Sequence, residues 1–267
     1  MPHAVINNAR LWYDVMGEGE PLLLHHGYTA SRVNWMPVAE RLKDEFRIIM
    51  MECRGTGESE DTADGYNIPQ YASDALGLMD ELGIEKFSYA GHSMGGGIGW
   101  WLGVHHAPRL EKLILMAPVR STGVDMGTGN SRLQARLDAR NRGDREALLA
   151  PMRAMRFRPD VETDEWFEDR VDHLLRVSDG HLMGGMETMR DLDLQDKLPT
   201  MDVPTLMLSG AVDMLLRANL EDFMLLPNAS LHVFSRAGHE VAIHEPDGVA
   251  EAMRAFMRHG PVKLQLP

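Results

Sequence analysis

Six short apolar runs punctuate the chain, each bounded by glycine, proline or histidine: PLLLHHG (21–27), FRIIMMECRG (46–55), KFSYAG (86–91), LEKLILMAP (110–118), PTLMLSG (204–210) and ASLHVFSRAG (229–238). Their hydrophobic positions are continuous rather than alternating, the pattern of parallel strands covered on both faces. Amphipathic stretches with a helical period lie between them. In YASDALGLMDELG (71–83), Ala72, Ala75, Leu76, Met79 and Leu82 form one stripe, and Gly83 supplies a C-terminal stop. Strands alternating with helices predict an α/β fold, a mostly parallel sheet with helices on both faces. The rhythm breaks once. From about Arg120 to Thr200 there is no strand signal, and RLQARLDARNRGDREALLAPMRAMRF and DEWFEDRVDHLLRV read as charged amphipathic helices. The expected organisation is a core from residues 1–119 and 201–267 with a helical insertion, a cap, over 120–200.

The run KFSYAG leads into AGHSMGGG (90–97), and GGGIGWWLGV (95–104) reads as a helix. Gly91, His92, Ser93, Met94 and Gly95 thus place the pattern G-x-S-x-G on a strand-to-helix turn, where the serine hydroxyl is held out of the sheet near the positive end of a helix. A serine hydroxyl is a weak nucleophile and needs a base that is itself oriented by an acid. Asp213 follows the run PTLMLSG, and His239 follows ASLHVF. Both fall on loops at the carboxyl ends of strands, on the same sheet edge as Ser93. Asp125, soon after the run ending at Pro118, is an alternative acid; its stretch STGVDMGTGN is rich in glycine and poorly suited to locking an imidazole tautomer. His244, the other candidate base, falls in the helical turn after His239.

Composition narrows the partners. A net charge of -13 over 267 residues repels phosphate backbones and anionic lipid, so neither nucleic acid nor membrane is expected. The single cysteine, Cys53, can form no internal disulfide, which suits a reducing cytoplasm. The N-terminus lacks the basic and apolar regions of a cleaved signal, and no apolar run approaches a bilayer span. The pairs His25-His26 and His105-His106 invite a metal, but no carboxylate or cysteine completes a coordination set, and none is expected. Met183, Met186 and Met189 read as apolar filler that can also line an adaptable pocket. Arg132, Arg136 and Arg140 recur at helical spacing and read as a solvated face.

Several stretches, in order, resemble the α/β-hydrolase superfamily over essentially the whole chain. HHGYTAS (25–31) resembles its loop after the third strand, ECRGTGES (52–59) the loop after the fourth, AGHSMGG (90–96) the nucleophile elbow, SGAVD (209–213) the acid loop and AGHEVAIHEPDGV (237–249) the histidine loop. Glu52 replaces the usual aspartate, and the acid loop lacks the proline common after its aspartate. The resemblance implies Ser93, Asp213 and His239 as the catalytic groups and the backbone N–H groups of Tyr28 and Met94 as the oxyanion hole. It implies no cofactor, a small-molecule substrate, and cleavage of a carboxylic ester, lactone or related acyl bond. Carbon–carbon bond hydrolysis, perhydrolase or haloperoxidase chemistry, and ligand sensing on a hydrolase fold are the alternatives. Oligomeric state is left open.

Overall fold

The computed structural model describes residues 2–124 and 131–261. Its strands are β1 (His3–Ile6), β2 (Ala9–Met16), β3 (Glu20–His25), β4 (Phe46–Met51), β5 (Phe87–His92), β6 (Leu110–Met116), β7 (Thr205–Gly210) and β8 (Ala229–Phe234). They form one sheet in the order β1-β2-β4-β3-β5-β6-β7-β8, in which β1 and β2 are antiparallel and the others parallel. The helices are α1 (Met36–Leu42), α2 (Ile68–Glu81), α3 (Met94–His105), α4 (Ser131–Asn141), α5 (Arg145–Ala154), α6 (Asp164–Arg176), α7 (Asp179–Arg190), α8 (Leu216–Phe223), α9 (Val241–His244) and α10 (Pro246–His259).

The continuous apolar strands are buried on both sides because successive side chains point to opposite faces. Leu23, Ile49, Tyr89 and Leu113 join one core, packed on α2 and α3 through Tyr71, Leu78 and Ile98. Their neighbours Leu22, Leu24, Ile48, Ala90 and Ile114 join a second core on the other face, with Val38 and Leu42 of α1 and Met253 of α10. Helix α2 starts at Ile68, three residues before the stretch 71–83 read from sequence, where the Asn67 side chain accepts a hydrogen bond from the Gln70 N–H and Pro69 sits in the first turn.

Three strands depart from the sequence reading. β1 and β2 carry no continuous apolar run: β1 closes one edge of the sheet, and in ARLWYDVM the buried Leu11 and Trp12, which join opposite cores, stand between the exposed Arg10 and a partly buried carboxyl end. β8 reads as a buried strand but closes the opposite edge, leaving His232 and Val233 exposed.

Helices α4 to α7 lie in sequence between β6 and β7. They bury a smaller cluster of their own, including Leu148, Phe167, Val171, Leu174 and Leu182, against which Tyr28 packs from the sheet side. The far end of α7 joins the main core through Met189. Met186 is buried as well, whereas Met183 is about half exposed.

Candidate active site

The carboxyl ends of β3, β5, β7 and β8 meet at one edge of the sheet, and each contributes a loop. After β5 the chain turns directly into α3, and Ser93 takes φ 55° and ψ −112° at the turn. A non-glycine residue in that region is held there by its surroundings. Here the glycines on either side allow the approach. A Cβ on Gly91 would lie 2.1 Å from the Gly95 carbonyl oxygen, and one on Gly95 would lie 2.5 Å from that of His25. The Ser93 N–H donates to the Met116 carbonyl at 3.0 Å, and its own carbonyl accepts from Gly97 and Val119.

Ser93, His239 and Asp213 form a hydrogen-bonded chain. The Ser93 hydroxyl donates to His239 Nε2 at 3.0 Å, and His239 Nδ1–H donates to Asp213 Oδ2 at 3.0 Å. The Asp213 side chain is 3% exposed and that of His239 36%, so the imidazole faces the solvent side while the carboxylate is enclosed. The other Asp213 oxygen accepts from the Leu215 N–H at 3.1 Å. Burial opposes charge on both groups, but the contact between them wins: Asp213, aided by Glu240, holds the His239 pKa above its ordinary 6.5, and His239 holds the Asp213 carboxyl below its ordinary 3.8. Asp125 lies outside the described residues, as does the side chain of Arg132.

The loop after β3 lies against this chain. A Cβ on Gly27 would come within 3.0 Å of the Ser93 Cβ, which brings Tyr28 beside the serine. Met94 is the first residue of α3. Among the described residues, neither the Tyr28 nor the Met94 backbone N–H donates to a protein acceptor. His26 fixes the loop: its Nδ1–H donates to the Gly27 carbonyl at 2.8 Å and its Nε2 accepts from the Cys53 N–H at 3.1 Å. His25 is equally occupied. The Cys53 thiol donates to its Nε2 at 3.1 Å, its Nδ1–H donates to the Tyr89 hydroxyl at 2.9 Å, and that hydroxyl donates to the Gly95 carbonyl at 2.8 Å. Burial, first among the causes, pushes His25 well below 6.5 and His26 to about 4, so both are neutral supports. Among the described residues, no cluster of histidine, cysteine, aspartate and glutamate could hold a metal ion.

Glu52, at the departure from the resembled loop, accepts from Arg32 and from the Glu58 N–H, both at 2.8 Å. His244 accepts from the Gly238 N–H at 3.2 Å and lies 3.2 Å from Glu162, so it braces the loop that carries His239.

Two contacts had no clear sequence signal. His92, the variable residue before the serine, donates its Nε2–H to the His239 carbonyl at 2.9 Å, and burial pushes its pKa to about 4. Glu240 lies 3.2 Å from Arg170 of α6 and accepts from the Asn34 amide at 2.6 Å. Burial would raise its carboxyl, but the charges of Arg170, His92 and His239 and the Asn34 hydrogen bond bring it to about 2. Adjacency to His239 marks Glu240 in the sequence; nothing there ties it to a helix seventy residues upstream. The insertion is thereby fastened directly beside the base. No described helix is long and apolar enough to cross a membrane.

Comparison with known proteins identifies the family of the chain. A putative non-heme chloroperoxidase from Synechocystis sp. is 26% identical over 285 residues, spanning 97% of this chain and all of that one. The crystal structure of an enol-lactonase from Burkholderia xenovorans LB400 superposes with a TM-score of 0.85 at 24% identity, over 97% of this chain and 100% of that one. A thermophilic esterase from Thermogutta terrifontis superposes with a TM-score of 0.81 at 26% identity, over 96% and 97%. The sequence pattern of the alpha/beta hydrolase fold family matches residues 20–246. With that match, the sheet order and the strand-to-helix turn at Ser93, the chain belongs to the alpha/beta hydrolase fold family and is an enzyme of that type.

Proposed function

We propose that the protein is a serine hydrolase that cleaves a carboxylic ester, lactone or related acyl bond in a small-molecule substrate through an acyl-enzyme. The observation that carries the reading is the pair of 3.0 Å hydrogen bonds running from Ser93 through His239 to Asp213. Ser93 Oγ attacks the carbonyl carbon while its proton passes to His239 Nε2, and Asp213 stabilises the imidazolium that forms. The carbonyl oxygen becomes an oxyanion facing the Tyr28 and Met94 N–H groups, which donate to no protein acceptor among the described residues and so are available for it. Collapse breaks the carbonyl–oxygen bond, and the leaving alcohol takes the proton from Nε2. Water, deprotonated by His239, then attacks the acyl-enzyme, releasing the acid and restoring the serine. An esterase and an enol-lactonase among the structural neighbours fit this chemistry. The chain's excess of acidic residues leaves nucleic acid and anionic membranes as poor partners.

A fluorophosphonate probe should label the wild type at Ser93 and leave Ser93→Ala unlabelled, and hydrolysis of 4-nitrophenyl acetate should disappear with the label. Labelling or turnover that survives in a folded Ser93→Ala variant overturns the assignment. The chloroperoxidase name of one relative supports a second reading, in which hydrogen peroxide replaces water in the second attack and a peracid leaves. Halogenation of monochlorodimedone in acetate, peroxide and bromide, lost in Ser93→Ala, would identify it.

A further inference from the structure

Helices α4 to α6 are rich in arginine, and their guanidinium groups are almost all engaged. Arg140, Arg145, Arg153, Arg156 and Arg170 each lie within ion-pair distance of a carboxylate. Arg136 is different. It is only partly exposed, and among the described residues it makes no ion pair and no hydrogen bond. Counter-ions are not scarce, because the chain holds 40 acidic residues against 27 lysines and arginines. Burial, first, and the neighbouring charge of Arg170, second, draw the Arg136 pKa below its ordinary 12.5. A guanidinium stays protonated all the same. A cation withdrawn from water without a partner is costly, so buried charges are ordinarily paired or reserved for a ligand.

Its position indicates which ligand. Arg136 lines a cavity of about 10 Å³, together with Tyr28, Thr29, Leu137, Leu174 and Leu182. Arg140 reaches the same wall, but its guanidinium is taken by Asp179 and the Val177 carbonyl. Tyr28 is the residue of this lining that the proposed mechanism also uses, through its backbone N–H. The sheet order also fixes the side. His239 and Asp213 follow β8 and β7, whereas Tyr28 follows β3, and β5 with Ser93 lies between. The leaving alcohol must face His239 to take its proton, so the acyl portion extends toward Tyr28.

We propose that Arg136 binds a carboxylate at the far end of the substrate's acyl portion, so that the enzyme selects esters or lactones of dicarboxylic acids, with an apolar chain between the two carbonyl groups. This rests on the serine reading above. The leucines of the wall accommodate the chain, and the guanidinium pairs with the carboxylate in two parallel hydrogen bonds. The cavity as it stands has room for one water-sized group, so the substrate widens it by displacing α4 side chains.

The test compares the mono-4-nitrophenyl ester of adipic acid with its methyl-capped counterpart, which differs only in the terminal charge. In the wild type kcat/KM should favour the free carboxylate by about tenfold or more, as expected for a charge-assisted pair. Arg136→Met should bring the ratio near one, Arg136→Lys should keep part of it, and the exposed control Arg142→Met should leave it unchanged. Calorimetry with monomethyl adipate reads the same contact without turnover, and its affinity should fall about tenfold or more in Arg136→Met. Binding that depends on Arg136 while neither ester is hydrolysed supports the carboxylate seat and overturns the serine reading. Hydrolysis of the capped ester with no preference for the free carboxylate, or monomethyl adipate binding unaffected by Arg136→Met, overturns the seat and leaves the serine reading standing.

Discussion

Gly95, in the first turn of α3, and Gly143, just after α4, stand in opposite surroundings. A Cβ on Gly95 would press within 2.5 Å of the His25 carbonyl oxygen and 2.6 Å of that of His26, whereas one on Gly143, between α4 and α5, would meet nothing within 4 Å. The same contrast separates the sheet edge from the insertion. At the edge, backbone touches backbone, strands are buried on both faces, and polar side chains such as His25, His26 and Tyr89 have their hydrogen-bonding atoms matched one to one. In the insertion, one stripe of each helix is buried and the outer faces are joined by ion pairs at partly exposed positions, such as Arg145 with Glu168 and Arg153 with Glu146. Pairs of that kind contribute little to stability and can be rearranged at small cost. The edge is thus held rigidly by its backbone contacts, whereas the surface of the insertion can rearrange at small cost.

The largest effect that would sharpen this contrast lies in the acid. Asp213→Asn should fold normally and lower turnover of an activated ester by about 10⁴-fold, since an amide favours the wrong imidazole tautomer. Steady-state kinetics with circular dichroism as the check on folding would measure it, and a loss below tenfold would mean that another group orients His239.

Next comes the glycine pair. Gly95→Ala should lose more than about 4 kcal/mol of stability or fail to accumulate as folded protein, because the obstructing atoms are backbone. Gly143→Ala should lose about 1 kcal/mol, the cost of a left-handed backbone for alanine, there at φ +65°. Urea denaturation of both variants measures the difference, and equal losses would break the comparison.

A gentler perturbation is acid. His26 and His92 sit near pKa 4 and His181 near 3, each lowered first by burial, against 6.5 in an unfolded chain. Below pH 6.5 the unfolded state therefore binds protons that the folded state refuses, and stability falls as pH drops from 6.5 toward about 4. Each such histidine contributes about 1.4 kcal/mol per pH unit in that window, roughly 4 kcal/mol per unit for the three. His239 acts in the opposite sense, because its raised pKa favours the folded state below 6.5, an advantage lost as pH rises through its folded value. Urea midpoints at pH 7 and pH 5.5 should show a net loss at the lower pH, and an unchanged midpoint would mean that these imidazoles have access to water.

Ser93 is legible in the sequence because a strained strand-to-helix turn needs glycine at fixed positions, and those positions are local. The parallel strands are legible for a related reason: burial on both faces leaves an apolar run no longer than the strand itself. β1 and β2 leave no such trace, since ARLWYDVM mixes the buried Leu11 and Trp12 with the exposed Arg10 and a partly buried end, and β8 shows that an apolar run does not reveal whether a strand lies at the centre or the edge of the sheet. Arg136 and Arg140 have the helical spacing of a solvated face, but α4 turns them inward over Tyr28. The side of an amphipathic helix that meets the core depends on what the core offers, and a string of arginines looks the same in either case.

The alternation of strands and helices, the interruption between β6 and β7, and the serine held between glycines can be read along the chain, because each depends on residues within a turn or two of one another. Folding alone brings His92 to the His239 carbonyl, Arg170 of the insertion to Glu240 beside His239, and Arg136 to a place near Tyr28 where, among the described residues, it has no hydrogen-bond or ion-pair partner. Those relations join residues tens of positions or more apart. Their energies come from burial and from charges brought close in a poorly solvated interior, and neither exists until the chain has folded.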